Sequence, residues 1–154
     1  MLTHEENLAL ADLLFPNVTD TREDLEKRFP LRMSSATRLA PSPTGFLHIG
    51  AVYQCFINDR VTHVNDWWVF FLRIEDTDQE REVAGSIDLM IDWVKKFGIQ
   101  VDEGPLGENH TDVGNYGPYI QSKRVPFYHV MAKQLVADGK AYPCFLTSEE
   151  MEKI

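Results

Sequence analysis

Apolar residues along the chain recur at helical spacing, merge once into a continuous run, and then return to helical spacing. That alternation predicts its elements. Leu8, Ala11, Leu14 and Phe15 make a loose helical stripe ended by Pro16, and Thr3-His-Glu-Glu6 opens it with the spacing of a capping box. Thr19 to Phe29 reads as a second, acidic helix, capped by Thr21 or Asp20 and stopped by Pro30. Thr37 to Ala40 is a strand by position more than by propensity. From Ile49 the residues Val52, Tyr53, Phe56, Ile57, Val61 and Val64 follow helical spacing for about four turns. Asn65-Asp66 then turns the chain into Trp67 to Ile74, an aromatic and β-branched run broken only by Arg73. Such a run is expected of a strand covered on both faces in a parallel sheet.

Glu75-Asp-Thr-Asp-Gln-Glu80 ends that strand in carboxylates. Beyond it Ile87, Met90, Ile91 and Val94 mark an amphipathic helix closing near Phe97-Gly98. Strand, helix, strand, helix is the order of a crossover unit in a doubly wound α/β fold, whose ligands bind at the carboxyl ends of the strands. Val101 to Tyr119 is rich in glycine and proline and has no periodicity, so it reads as a long irregular connection where a domain boundary is plausible. Ser122 to Asp138 is helical again, with Val125, Tyr128, Ala132, Leu135 and Val136 on one side and Gly139 just past its end. Ala141 to Phe145 reads as a short strand, and Thr147-Ser-Glu-Glu150 opens another capping box near the last residue.

Composition narrows the picture. A chain of 154 residues, 44% hydrophobic and 11% aromatic, can bury one sizeable core. The longest apolar run, Trp67 to Leu72, is too short to span a bilayer, and Met1 to Glu6 has no secretory pattern, so a soluble, cytoplasmic protein without membrane partners is expected. Cys55 and Cys144 alone suggest reduced thiols and no disulfide framework. A net charge of −9 argues against a nonspecific nucleic-acid binder, which needs a broad basic surface.

Chemistry concentrates in Arg38 to Gly50. This stretch leaves the first strand through a turn stiffened by Pro41 and Pro43 and enters a helix, whose free N–H groups and positive end suit a phosphate or carboxylate.

Ala40-Pro-Ser-Pro-Thr-Gly45, His48-Ile-Gly50 and Leu72-Arg-Ile-Glu-Asp-Thr-Asp78 together closely resemble the glutamyl-tRNA synthetases, class I ligases with a Rossmann-type catalytic domain. The resemblance runs over roughly residues 37 to 150 and includes Gln121-Ser-Lys-Arg124 and Gly139-Lys-Ala-Tyr-Pro-Cys144. It implies a Rossmann-type half-domain at 36–118, the truncated start of an inserted acceptor-binding domain at 119–154 and a helical extension at 1–35. It also implies an enzyme that uses ATP, with its Mg2+, to activate L-glutamate and ligate it to tRNA(Glu). Amino-acid activation brings a carboxylate to the α-phosphate of ATP and expels pyrophosphate, so donors at a helix start answer a need to place two anions and stabilise charge between them.

By the resemblance His48 is catalytic, and Ser42, Thr44, Gly45, His48 and Gly50 bind ATP, with Gly50 leaving a bare surface for the adenine. Arg38, Ala40, Ser42 and Glu75 bind glutamate, Arg38 offering a fork to its side-chain carboxylate and Glu75 an acceptor to its ammonium. Thr77 and Asp78 become candidates to meet the tRNA acceptor end. Ala51 stands where the general class motif has a second histidine, which the glutamyl branch usually replaces with a small residue. The class's Lys-containing loop is absent, so an N-terminal fragment, inactive alone, is expected. Some members carry Cys-x-Cys near Tyr142-Pro-Cys144 as half of a zinc site; Leu146 stands at the partner position, so no zinc is expected. The shorter glutamyl-queuosine tRNA(Asp) synthetase type shares these motifs, and a module that merely binds ATP or a partner is the reading from another class. The oligomeric state stays open.

Overall fold

Two parallel strands joined through a helix carry the candidate loop. The computed structural model describes residues 2–45 and 48–153. In chain order the elements are α1 (His4–Leu14), α2 (Arg22–Arg28), β1 (Ala36–Leu39), α3 (Ile49–His63), β2 (Val69–Leu72), α4 (Ser86–Lys96), α5 (Val125–Ala137) and α6 (Ser148–Met151), with short 3₁₀ turns between. β1 and β2 pair in parallel with Arg38 beside Phe71 and Leu39 beside Leu72, and α3 is the crossover such a pair requires. The chain divides into two compact units, Met1–Lys27 with Pro126–Ile154, and Arg28–Val125. The connection 101–119 therefore lies inside the second unit.

That second unit has its core on one face of the strands. Leu39, Phe70, Leu72 and Ile74 meet Met90, Ile91 and Val94 of α4 and Cys55 of α3. The predicted stripe of α4 is the buried one, with Ile87 packed at its edge. The expectation that β2 is covered on both faces is corrected: Phe70 and Leu72 are buried, Val69 and Phe71 only half so, and Trp67 is exposed. The α3 and α4 residues in the core all meet the Phe70–Leu72 side. The other side of β2 is left to Phe71 and Arg73.

Helix α3 runs over the expected four turns, but its larger apolar residues are not the buried ones. Ala51, Cys55, Asp59 and Thr62 face the strands, whereas Tyr53, Phe56, Ile57, Val61 and Val64 are exposed. Small residues on the inner face let the helix approach β1 closely, where the Thr62 and Thr37 hydroxyls hydrogen-bond at 2.6 Å. Burial and the nearby Asp59 push the Cys55 thiol up to about 11, so it is a packing residue rather than a nucleophile.

The end of α3 is tied down by charge. His63 Nδ1 lies 2.9 Å from Asp59 Oδ1, and Nε2 lies 3.2 Å from Asp102 Oδ2. Asp59 also accepts from the Gln100 N–H, and Asp102 from the Phe70 N–H. Burial alone would lower the His63 pKa, but the hydrogen bond and charge of Asp102, then the bonds to Asp59, outweigh it and raise it above its ordinary value. Only the protonated ring donates from both nitrogens. The stabilisation is therefore complete below the unfolded-state value near 6.5 and disappears as pH rises through the higher folded-state value. Urea midpoints are expected to fall from pH 5.5 to pH 8.5, and His63→Gln to flatten that slope; an equal slope in the variant would count against this staple.

The 101–120 connection is irregular, as expected, but it supplies the second edge of β2. The Leu72 N–H donates to the Glu103 carbonyl at 2.9 Å, the Ile74 N–H to Tyr119 at 2.9 Å, and the Gln121 N–H back to Ile74 at 2.9 Å. Glu103 sits there at 9% exposure, gripped by both Nη atoms of Arg32 and by the Tyr119 hydroxyl.

In the first unit both halves of the Thr3–Glu6 capping box are made, and Ala11 packs with Val136 and Ala137. Thr21, not Asp20, caps α2: its hydroxyl accepts the Asp24 N–H, which starts the helix at Arg22. On α5 the buried residues are Val130, Val136 and Ala137, so of the face expected only Val136 is fully buried. Gly139 follows with φ of 69°, the left-handed residue expected past a helix end. Ala141 to Phe145 forms no strand among the described residues, and Tyr142 and Phe145 stand exposed. The second capping box closes on α6.

Candidate active site

Pairing continues beyond the end of β1 and fixes where the loop begins. The Arg73 N–H donates to Leu39 and the Glu75 N–H to Pro41, both at 2.9 Å. Pro43 is fully buried, and its carbonyl accepts the Ser86 hydroxyl and the Val83 N–H at 2.9 Å each, which pins the loop to the start of α4. Between those anchors Thr44 N–H turns back onto the Ser42 carbonyl. Gly45 has φ of 127° with open space where a Cβ would stand, so glycine serves conformation there, not clearance. Phe46 and Leu47 lie outside the described residues.

His48 is the N-cap of α3, extended in backbone, exposed, and making no side-chain cap bond. A Cβ on Gly50 would stand 3.0 Å from its Cε1 and Nδ1, so the bare glycine is what gives the imidazole room against the first turn. The first turn of α3 carries no acidic side chain, and among the described residues its Ile49 and Gly50 N–H groups have no acceptor, so they and the positive helix end suit an anion. In front of it lies a cavity of about 320 Å³ lined by Ala40, Ser42, Thr44 and His48, together with Ala51, Gln54 and Met90.

The remaining candidates stand apart from this cavity's lining. Arg38 is exposed on β1, level with Phe71 and facing away from the core. Glu75 is half-buried and accepts from Arg73 Nη2 at 2.5 Å. Thr77 is exposed, and Asp78 accepts from Arg81, whose hydrogen bond holds its pKa below the usual carboxylate value. Cys144 is exposed beside Met151. Among the described residues no three His, Cys, Asp or Glu side chains gather as a metal would require.

A turn anchored at the end of a parallel strand, ahead of a helix N-terminus with a histidine at its cap and no acidic side chain in its first turn, is suited to hold phosphates. Residues 35–154 match the family model of the tRNA synthetases class I (E and Q), catalytic domain. The chain belongs to this family. It is 48% identical over 149 residues to the glutamate–tRNA ligase of Clostridium perfringens (strain 13 / Type A), covering 94% of this chain and 27% of that protein. Over 150 residues it is 47% identical to the ligase of Acetivibrio thermocellus, with the same shares of each. A solved glutamate tRNA ligase from Elizabethkingia meningosepticum, in complex with its amino acid, superposes with a TM-score of 0.69 at 36% identity over 78% of this chain and 23% of that one. The ligase of Elizabethkingia anophelis gives 0.68 at 37% identity over the same shares. The chain thus spans about a quarter of the length of the relatives it matches and carries the Rossmann-type α/β architecture of a class I synthetase catalytic domain.

Three features of this synthetase region escaped sequence reasoning. Gln54 and Met90 enter the cavity from helix positions that carry no motif. Asp76, at 9% exposure, accepts both the Ser122 N–H at 2.8 Å and the Ser122 hydroxyl at 2.5 Å, tying the acidic run to the Gln121–Arg124 turn. Arg73 occupies Glu75. The one available signal was Arg73 itself, a charge inside an otherwise apolar strand.

Proposed function

We propose that this chain forms the first part of the catalytic region of a glutamate–tRNA ligase, which activates L-glutamate with ATP and transfers it to tRNA(Glu). The observation that supports the reading is the cavity at the α3 N-terminus, lined by Ser42, Thr44 and His48 of the family's motifs before a first turn without acidic side chains. The glutamate–tRNA ligase names of relatives matched over 94% of the chain support the substrate. Residues 36–118 are then the first half of the catalytic domain, 119–154 the start of the acceptor-binding insertion and 1–35 a helical extension.

In this reading ATP, arriving with its Mg2+, sets its phosphates before α3, where the open N–H groups, the Ser42 and Thr44 hydroxyls and Gly45 contact them. His48 donates to the phosphate oxygens as negative charge grows there. Gly50 keeps the helix surface bare for the adenine. Arg38 takes the side-chain carboxylate of glutamate and Glu75 its ammonium, with Ala40 and Ser42 lining the approach. Thr77, exposed, and Asp78, half-buried beyond the strand, meet the tRNA acceptor end.

The test is exchange of labelled pyrophosphate into ATP by the full-length protein. Exchange that depends on L-glutamate and is absent with L-glutamine or L-aspartate is expected. Exchange driven by a different amino acid, or none with glutamate, would overturn the assignment.

A further inference from the structure

Arg38, Phe71, Arg73 and Glu75 share one face of the parallel pair, because Arg38 stands in register with Phe71 and the alternate residues Phe70, Leu72 and Ile74 point into the core. Same-face neighbours on a strand are roughly 6.6 Å apart along its axis, so Arg73 stands midway between the level of Arg38 and that of Glu75. Its Nη2 donates to Glu75 Oε1 at 2.5 Å, and the two side chains are only 22% and 32% exposed. The other carboxylate oxygen of Glu75 has no hydrogen-bond donor among the described residues.

The rest of the Arg73 guanidinium is less well served. Its Nε is buried and has no hydrogen-bond partner among the described residues. A buried N–H left unmatched is tolerated where another contact dictates the rotamer. Here that contact is Glu75.

We infer that Arg73 is the positioning residue of the amino-acid site, holding the Glu75 carboxylate in place so that its second oxygen can receive the ammonium of the substrate. The inference rests on the reading of Glu75 as the ammonium's partner. An isolated half-buried carboxylate would be free to turn toward solvent; the guanidinium opposes that and aims the group along the strand edge. Arg73 does not itself touch the substrate in this assignment. It acts through Glu75.

That distinction is measurable by a double-mutant cycle in glutamate-dependent pyrophosphate exchange by the full-length protein. Arg73→Met is expected to raise the KM for L-glutamate about tenfold while leaving the KM for ATP within about twofold, and Arg73→Lys to restore most of the loss. Glu75→Gln is expected to raise the glutamate KM at least as much, and the double variant to be no worse than Glu75→Gln alone. If the Arg73 and Glu75 effects multiply, or if Arg73→Met raises the KM values for ATP and glutamate together, the positioning role is wrong. If Glu75→Gln leaves the glutamate KM unchanged, the assignment of Glu75 fails first, and the two failures are told apart.

Discussion

Glu103→Ala is expected to destabilise the 28–125 unit by about 3–5 kcal/mol, the range found when one partner of a buried ion pair is removed. Glu103 receives two parallel bonds from Arg32, at 3.0 and 2.6 Å, and a third from the Tyr119 hydroxyl at 2.5 Å. Arg32 is additionally stacked 4.2 Å above the Tyr116 ring, and the Tyr119 hydroxyl accepts the Tyr116 N–H. Burial, then the bond to Glu103, pushes the Tyr119 phenol well above its ordinary value, so it remains a donor at any working pH. Truncating the carboxylate therefore strands a guanidinium that is 18% exposed and a hydroxyl on a residue that is 1% exposed. Glu103→Gln keeps an acceptor for Tyr119 and should cost less, and Tyr119→Phe, which removes one hydroxyl, about 1–3 kcal/mol. Urea unfolding of the three variants checks the order; a Glu103→Ala midpoint indistinguishable from that of Tyr119→Phe would contradict it. A loss of this size is a large fraction of the 5–15 kcal/mol that holds a typical domain folded.

The same ion-pair cluster shows where sequence reading stops. Arg32 and Glu103 are 71 residues apart, and nothing in the pattern around either announces the other. Helix α4 was legible because its only apolar stripe is also its buried one. Helix α3 was not, because close approach to β1 selects Ala51, Cys55 and Thr62 for the inner face, while the larger apolar residues remain outside. Hydrophobicity alone ranks those two faces the wrong way round. The candidate loop was legible for a different reason: its chemistry lies in one contiguous stretch, where prolines, a left-handed glycine and a helix start are local features. The supports of that loop are not local. Pro43 rests on Ser86, and Asp76 on Ser122, through contacts spanning 43 and 46 residues.

His48→Ala is expected to lower kcat for glutamate-dependent pyrophosphate exchange by about 10²–10³, the usual effect of deleting one donor to developing charge. The KM for glutamate should change little, because the amino-acid contacts are assigned to Arg38, Ala40, Ser42 and Glu75. Stability should also hold to within about 0.5 kcal/mol, since the His48 side chain is exposed and caps nothing. The structure supplies an independent way to disturb the same group. In Gly50→Ala the new methyl would stand 3.0 Å from two imidazole atoms, tighter than most real contacts, so the ring must give by a few tenths of an ångström. Exchange should then fall in the same direction as in His48→Ala but less far, with a raised KM for ATP that persists in the double variant, because the methyl also intrudes on the surface assigned to the adenine. An enzyme that keeps full exchange with His48→Ala would remove the histidine from the chemistry, whatever its place at the cap of α3. A loss matched by an equal fall in thermal stability would instead make it a residue of the fold.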